Sequence, residues 1–343
     1  MIKKKDLERF FLYCGKHFRE NGPSGLLRMR FYKGFLKKSD LLYDRRRFNE
    51  SDFINDWARL KIDLNQNYRV LLDDKLIFDR AFRTDLDLTE TLAVISEGKC
   101  FPSERTEKAT SDPIKLIEFY LQSRKRIVVK TVRGHSGKSV WVLNRLEDGH
   151  LTVNGHKENL ETFLSKLNGI KMPKVISTFI EQGAFPKSLY AESVNTIRLV
   201  TLFAEDGPFV AAAVQRIGTL YSRPVDNFSL GGLSAWIHED GTLGSAVRFT
   251  SEIGVEWFDS HPDTGEEIRG KIVCNWKSIK SQIIDVASNW PMLKIVGWDI
   301  VQLDKGIIVI EGNNVPEFHE FQVHKPLLCD KRTKTFFKRN HIV

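Results

Sequence analysis

Two hydrophobic spacings divide this chain. In its N-terminal part apolar residues recur at three- and four-residue intervals, which predicts helices over residues 3–20 and about 25–38, broken at Asn21-Gly22-Pro23. Phe53, Ile54, Trp57 and Leu60 continue that spacing behind Ser51, a residue type that caps helices. Residues 64–103 alternate short apolar runs with charged pairs and predict only a strand around Ile95. Beyond Pro113 the pattern changes. A helix to about Ser123 gives way to β-branched runs at residues 126–132 and 139–143, a short helix capped by Asn159, and a buried strand over residues 175–180. Further strands follow at residues 195–203 and 209–217. A polar loop, SRPVDNFSLGG, occupies residues 222–232, a turn lies at HPDTG, residues 261–265, and Asn275 starts a helix that ends before Pro291.

The most informative pattern is at residues 296–314, VGWDIVQLDKGIIVIEGNN. Two arms rich in Val and Ile flank Leu303-Asp304-Lys305-Gly306, which predicts a β-hairpin with a three-residue loop from Asp304 to Gly306. Leu303 would then lie opposite Ile307, and counting back sets Asp299 opposite Glu311, with Asn313 on the same face. Two facing carboxylates repel unless a cation lies between them. An all-oxygen set of Asp299, Glu311 and Asn313 suits Mg²⁺. The competing reading is an ordinary hairpin with a solvated polar face.

Composition narrows the class. The chain has 343 residues, 41% of them hydrophobic, enough for a substantial core in two or three domains or subdomains. No apolar run approaches a membrane span, and the opening MIKKKDLERFF lacks the apolar segment of a signal peptide. Cys14, Cys100, Cys274 and Cys329 are far apart, so neither a zinc site nor a disulfide framework is expected, and a reducing cytoplasm fits. The formal net charge of +8 is confined to residues 1–50, where 14 Lys and Arg face 6 Asp and Glu, while the remainder holds 38 of each sign. Interspersed with Phe10, Phe11, Phe18, Phe31, Tyr32 and Phe35, that charge suits an anionic membrane surface. Alternatively the aromatics form a buried stripe and the charges solvate the opposite face. No nucleic-acid-binding motif accompanies the charge.

Residues 126–138 carry candidate chemistry. Lys130 near a strand end, followed by Arg133-Gly134-His135-Ser136-Gly137-Lys138, offers a point charge and backbone N–H donors to a polyphosphate. The fragment GKS is not a Walker A motif, since Val132 stands where that motif's first Gly belongs and the loop leads into a strand. An ordinary glycine hairpin is the alternative. Arg198 and Arg216 lie in or beside apolar strands, so each needs a carboxylate or phosphate partner.

Taken together SVNTIRLVTL, VDNFSLGGL, HPDTG and GWDIVQLDKGIIVIEGNN resemble the sugar-transfer-associated ATP-grasp family of bacterial polysaccharide gene clusters, over about residues 101–330. The resemblance implies an α+β ATP-grasp fold, two lobes clasping ATP behind a mainly helical, basic N-terminal region. Expected boundaries are 1–103 for that region, 104–330 for the ATP-grasp domain (flap lobe about 113–181, metal lobe about 182–330) and 331–343 for a C-terminal tail. It further implies that Lys130 contacts the α- and β-phosphates and that Gly134, Ser136, Gly137 and Lys138 belong to a flap over them. Glu181 would sit at adenine and ribose, Arg216 near the γ-phosphate, and Asp299, Glu311 and Asn313 on Mg²⁺. Asn195, Arg198, Asp226 and Asn227 are assigned to the acceptor side or to positioning, and His261 to either a structural turn or the substrate. The implied activity is an ATP- and Mg²⁺-dependent ligase that activates a carboxylate as an acyl phosphate and joins it to an amine, during assembly or modification of a surface polysaccharide. A kinase-like phosphotransferase and a nucleotide-binding scaffold docked to a membrane glycosyltransferase complex through residues 1–50 are the alternatives. The expected location is the cytoplasm, including the inner face of the membrane.

Overall fold

The computed structural model describes residues 4–21, 34–103, 111–134, 139–146 and 150–343. Seven strands form a first antiparallel sheet: β1 (Thr91–Ser96), β2 (Lys99–Pro102), β3 (Arg126–Thr131), β4 (Val140–Arg145), β5 (Leu151–Val153), β6 (His156–Lys157) and β7 (Lys174–Thr178). Their order is β2-β1-β7-β3-β4-β5-β6. Seven more form a second: β8 (Thr196–Ala204), β9 (Gly207–Ile217), β10 (Leu233–Ile237), β11 (Leu243–Thr250), β12 (Gly254–Phe258), β13 (Ile295–Gln302) and β14 (Ile307–Asn313), in the order β12-β11-β10-β9-β8-β13-β14. This is the expected α+β architecture of two lobes behind a mainly helical N-terminal region.

Each sheet buries its apolar face under helices, as a half-hydrophobic layer must. On the first, Leu116, Ile117 and Leu121 of helix Pro113–Arg124 and Phe163 and Leu167 of helix Leu160–Asn168 close over Ile127, Val129, Leu143 and Ile176. The second sheet is covered on both sides. Helix Trp276–Asn289 packs Ile279, Ile283 and Val286 on Ile197, Leu199, Trp298 and Ile300. On the opposite side Ile54, Ala58 and Ile62 join Phe318, Phe321, Phe336 and Phe337 over Val200, Leu202, Val214 and Ile295. Strand alternation places Arg198 on the latter face with Val200 and Leu202, and Arg216 with Val214. That face is therefore apolar at one end and charged at the other.

Several expectations change. Most of the helix expected at 25–38 lies outside the described residues, and the next helix is Lys37–Leu42. Ser51 falls within a 3₁₀ turn, Glu50–Asp52, and it is Asn55 that caps helix Asp56–Lys61, accepting from Ala58 N at 2.7 Å. Residues 331–343 contain helix Lys331–Arg339, whose Phe336 and Phe337 are buried. Among the described residues no helix is long and apolar enough to cross a membrane.

Candidate functional site

The hairpin β13–β14 sets Asp299 opposite Glu311, as the sequence predicts, but by a different route. The strands pair Gln302 with Ile307, one step from the expected register, and a bulge at Ile310 between the Ile300–Val309 and Asp299–Glu311 pairs restores the alignment. Asn313 lies opposite Gly297 and donates through Nδ2 to Gly297 O at 3.2 Å and to Asp299 Oδ2 at 3.4 Å.

The cations the two carboxylates require come first from the chain itself. Arg198 on β8 donates through Nη2 to Asp299 Oδ2 at 2.8 Å and pairs through Nε with Oδ1. Arg216 on β9 reaches Oδ1 through Nη1 at 3.4 Å and is held from behind by Glu320, Nε to Oε2 at 2.7 Å and Nη2 to Oε1 at 3.2 Å. Glu311 pairs with Lys75, Nζ to Oε2 at 3.3 Å. Burial pushes the Asp299 carboxyl upward, with Arg198 and Arg216 opposing. Burial also disfavours an ionised Glu311, yet Lys75 and Lys130 outweigh it and hold that carboxyl below the usual range.

Lys130, near the end of β3, is 9% exposed and makes no ion pair among the described residues. Burial and the like charge of Lys75 bring its ammonium down to about 8. Lys75 also ties the N-terminal region to the first sheet. Its backbone N–H donates to Val132 O at 3.1 Å, its Nζ to Gly134 O at 3.4 Å, and Arg133 Nε donates to the neighbouring Asp74 Oδ2 at 2.9 Å. Gly134 has φ +142, where a Cβ would stand 2.9 Å from Thr131 Oγ1, so glycine is required.

These groups line one cavity of about 570 Å³ between the sheets. The lining combines an apolar part (Val128, Val142, Phe179, Ile180 and Ile310) with charged and polar residues, among them Lys75, Lys130, Asp299, Glu311 and Asn313, and Arg59, Asp226, Asn227, Ser229 and Glu317. A smaller cavity of about 340 Å³ adjoins this one, shares Val142, Phe179, Ile180, Val194 and Pro224 with it, and contains Glu181, exposed and paired with Arg126. Of the sequence-predicted site residues the cavity thus gathers Lys130, Gly134, Arg198, Arg216, Asn227, Asp299, Glu311 and Asn313. Ser136, Gly137 and Lys138 lie outside the described residues.

Two candidates serve the scaffold. Asn195 is 1% exposed, donates to Pro186 O and Tyr190 O and accepts from Ser193 Oγ and Gly218 N, so every hydrogen-bonding position of its amide is used away from the cavity wall. His261, also 1% exposed, stacks on Tyr190 and bonds Gly218 O at 2.8 Å, contacts that fit the turn role. Asn227 lines the cavity while its Oδ1 accepts from Ser229 N at 2.8 Å, capping a 3₁₀ turn. The sequence reading missed Arg59, Lys75, Glu317 and Glu320. Asp74-Lys75 at the head of an apolar periodic run was the available signal, since Asp74 caps helix Lys75–Phe82 by accepting from Leu76 and Ile77.

A hard divalent cation fits part of this donor set. Glu311 and Asn313 offer oxygens at the cavity wall, whereas both oxygens of Asp299 are engaged by guanidinium groups. The five cationic side chains of the lining (Arg59, Lys75, Lys130, Arg198, Arg216) face six carboxylates (Asp73, Asp226, Asp299, Glu311, Glu317, Glu320). The walls alone carry no excess positive charge, so a polyphosphate needs added cations to enter.

The family described as sugar-transfer-associated ATP-grasp matches residues 57–335. No curated protein matches the sequence. Among solved structures the chain is similar to the ATP-grasp ligase PsnB complexed with minimal precursor (12% identity, 80% of this chain and 64% of that one, TM-score 0.41). It is also similar to the D-alanine-D-alanine ligase of Coxiella burnetii (11%, 79% and 59%, 0.39) and the D-alanyl-alanine synthetase A of Vibrio cholerae (9%, 79% and 66%, 0.45). It spans about three fifths of the length of the first two.

Proposed function

The chain belongs to the sugar-transfer-associated ATP-grasp family, and from that premise we propose that it is an ATP- and Mg²⁺-dependent ligase joining a carboxylate to an amine during modification of a surface polysaccharide or its precursor. The observation that carries the reading is Lys130, a buried ammonium in the wall of a cavity with no carboxylate paired to it among the described residues. Glu311 and Asp79 offset its burial only in part, and the remaining cost is recovered when a phosphate oxygen reaches it.

Adenine fits the apolar part between Val128, Val142, Phe179 and Ile180, with the ribose toward Glu181 in the adjoining cavity. The phosphates then pass Lys130 and Lys75. Glu311 and Asn313 would hold Mg²⁺, which would screen phosphate charge at the γ-phosphate, while Asp299 keeps Arg198 and Arg216 in place. Arg216 keeps its orientation through two bonds to Glu320, and so presents a fixed positive charge where the carboxylate and γ-phosphate approach each other. The carboxylate oxygen attacks phosphorus, ADP leaves, and the acyl phosphate now has a good leaving group. An amine attacking that carbonyl expels phosphate and leaves an amide. The sugar setting rests on the family's description.

Calorimetry with a non-hydrolysable ATP analogue tests the first half of this reading. Wild type binds it, more tightly with Mg²⁺, and Lys130→Met loses at least tenfold in affinity (about 1.4 kcal/mol). Incubation with Mg·ATP, hydroxylamine and a panel of uronic and amino acids tests the second half, because only an acyl phosphate gives a hydroxamate. Failure of folded wild type to bind the analogue overturns the reading. ADP release into a stable phosphorylated product, without hydroxamate, converts it to a phosphotransferase.

A further inference from the structure

Six carboxylates line the cavity, and five of them have a cationic partner within 4.0 Å: Asp73 has Arg69, Asp299 has Arg198 and Arg216, Glu311 has Lys75, Glu317 has Arg59, and Glu320 has Arg216. Asp226 is the exception, for it makes no ion pair among the described residues. It lines the cavity from the loop between β9 and β10 and is 8% exposed. Its Oδ2 accepts from the backbone N–H of Thr196 at 2.7 Å and from the Thr196 hydroxyl at 2.6 Å. Both bonds go to one oxygen. They hold the carboxylate through Oδ2 and leave Oδ1 for whatever occupies the cavity.

We propose that Asp226 is the general base of the second half-reaction, taking the proton from the attacking amine in the cavity. The proposal rests on the ligase reading above. As the amine nitrogen's lone pair forms the C–N bond, the C–O bond to phosphate breaks with its electron pair going to the phosphate oxygen. The surplus proton on nitrogen passes to Oδ1 of Asp226. Amide, inorganic phosphate and protonated Asp226 are the products, and the proton is later released to water.

The electrostatics agree with this role. An arginine bonded to a carboxylate suppresses its basicity, which disqualifies Asp299, Glu317 and Glu320. Burial pushes the Asp226 carboxyl above the usual range, offset in part by the charge of Arg216, by the Thr196 bonds and by Arg198. The charged groups around it are therefore Arg216 on β9, Arg198 on β8 and Asp299 on β13, with Glu320 behind Arg216. A base raised in this way takes up a proton more readily at neutral pH than an ordinary aspartate.

The test separates the two half-reactions. Wild type, Asp226→Asn and Thr196→Val are given Mg·ATP, the uronic and amino acid panel, and either hydroxylamine, a strong and weakly basic nucleophile that gives up its proton to solvent, or glycinamide, a more basic and less reactive amine that needs a base in the site. Asp226→Asn should form hydroxamate within about threefold of wild type, whereas glycinamide adduct falls about 10²-fold. Adduct formation by wild type should rise with pH through the Asp226 titration, and that rise should vanish in Asp226→Asn. Thr196→Val keeps the base but removes a bond that favours its charged form, so the rise should move to higher pH. Equal adduct formation by wild type and Asp226→Asn, with the same pH profile, overturns the inference and leaves the ligase reading intact. No hydroxamate from wild type with any panel member overturns the ligase reading and this inference with it.

Discussion

Asp299 binds two guanidinium groups, and this changes what its removal should do. Arg198 is 5% exposed and, apart from Asp299, has only Glu320 at 4.0 Å, so Asp299→Asn strands a buried cation. Breaking such a pair from one side costs about 3–5 kcal/mol. Glu311→Gln leaves Lys75 bonded to Gly134 O but takes a counter-charge from Lys75 and Lys130, and should cost less, about 1–3 kcal/mol. Urea denaturation of both variants checks this, and equal losses of stability would contradict the structural role assigned to Asp299. At this scale the sequence was legible in pieces. It showed that two facing carboxylates need cations and that Arg198 and Arg216 need anions, but these demands satisfy one another across strands about 80–100 residues apart, a pairing that local spacing does not encode.

At the scale of elements the hairpin was readable because its arms are apolar, β-branched and separated by a glycine turn, whereas its bulge was not, because Ile310 looks like any other strand residue. Strands β10 to β12 escaped notice for a different reason. Ser234 is fully buried yet polar, bonded to Glu320 O at 2.8 Å, and Arg248 is buried through its bonds to Glu256, so polar residues stand where the alternation calls for apolar ones. Residues 70–82 fold as two short helices whose apolar positions are interrupted by Asp73, Asp74 and Lys75, which face the cavity or cap a helix instead. One connection between elements is unusually tight. Gly183 follows the segment leaving β7; its N–H donates to Gln302 O at 2.9 Å, and an added Cβ would lie 2.5 Å from the carbonyl carbon of Leu303. Gly183→Val should therefore cost about 1–3 kcal/mol. It should also weaken ATP-analogue binding, because the apolar wall at Phe179 and Ile180 shifts; a variant with unchanged melting temperature and affinity would show that the contact does not position that wall.

Across the whole molecule, the basic excess and the cavity belong to different parts of the chain. The positive charge is concentrated in residues 1–50, while the first residue to line the cavity is Arg59. Helix Lys4–Asn21 is attached through Tyr13 and Phe10 against Trp57 and through Arg9 to Asp63. Deleting residues 1–33 should leave ATP-analogue affinity within about threefold, a difference of about 0.7 kcal/mol. Deleting residues 1–62 removes Ile54, Ala58 and Ile62 from the cluster beneath β8, β9 and β13. Each large side chain there contributes about 1.5–3 kcal/mol, a large fraction of what a domain has in total. That variant should lose its cooperative thermal transition, and a cooperative transition at the wild-type temperature would mean the N-terminal helices are an ornament on the fold.

The fastening of Gly183 and Ala184 to the hairpin turn, the latter by Ala184 N to Asp304 Oδ1 at 2.6 Å, has a mechanical consequence. The segment that leaves the first sheet is riveted to the second almost at once, so the carboxylate hairpin and that junction form a single stationary floor. A swing of the first sheet must then bend both this segment, between Thr178 and Gly183, and the one between Leu88, bridged to Val309 of the hairpin, and Thr91 at the start of β1. The first sheet is fastened beside Lys130 as well, by Lys75 N to Val132 O and Arg133 Nε to Asp74 Oδ2. Widening the cavity for a nucleotide would thus require those cross-links to break while two short connections bend.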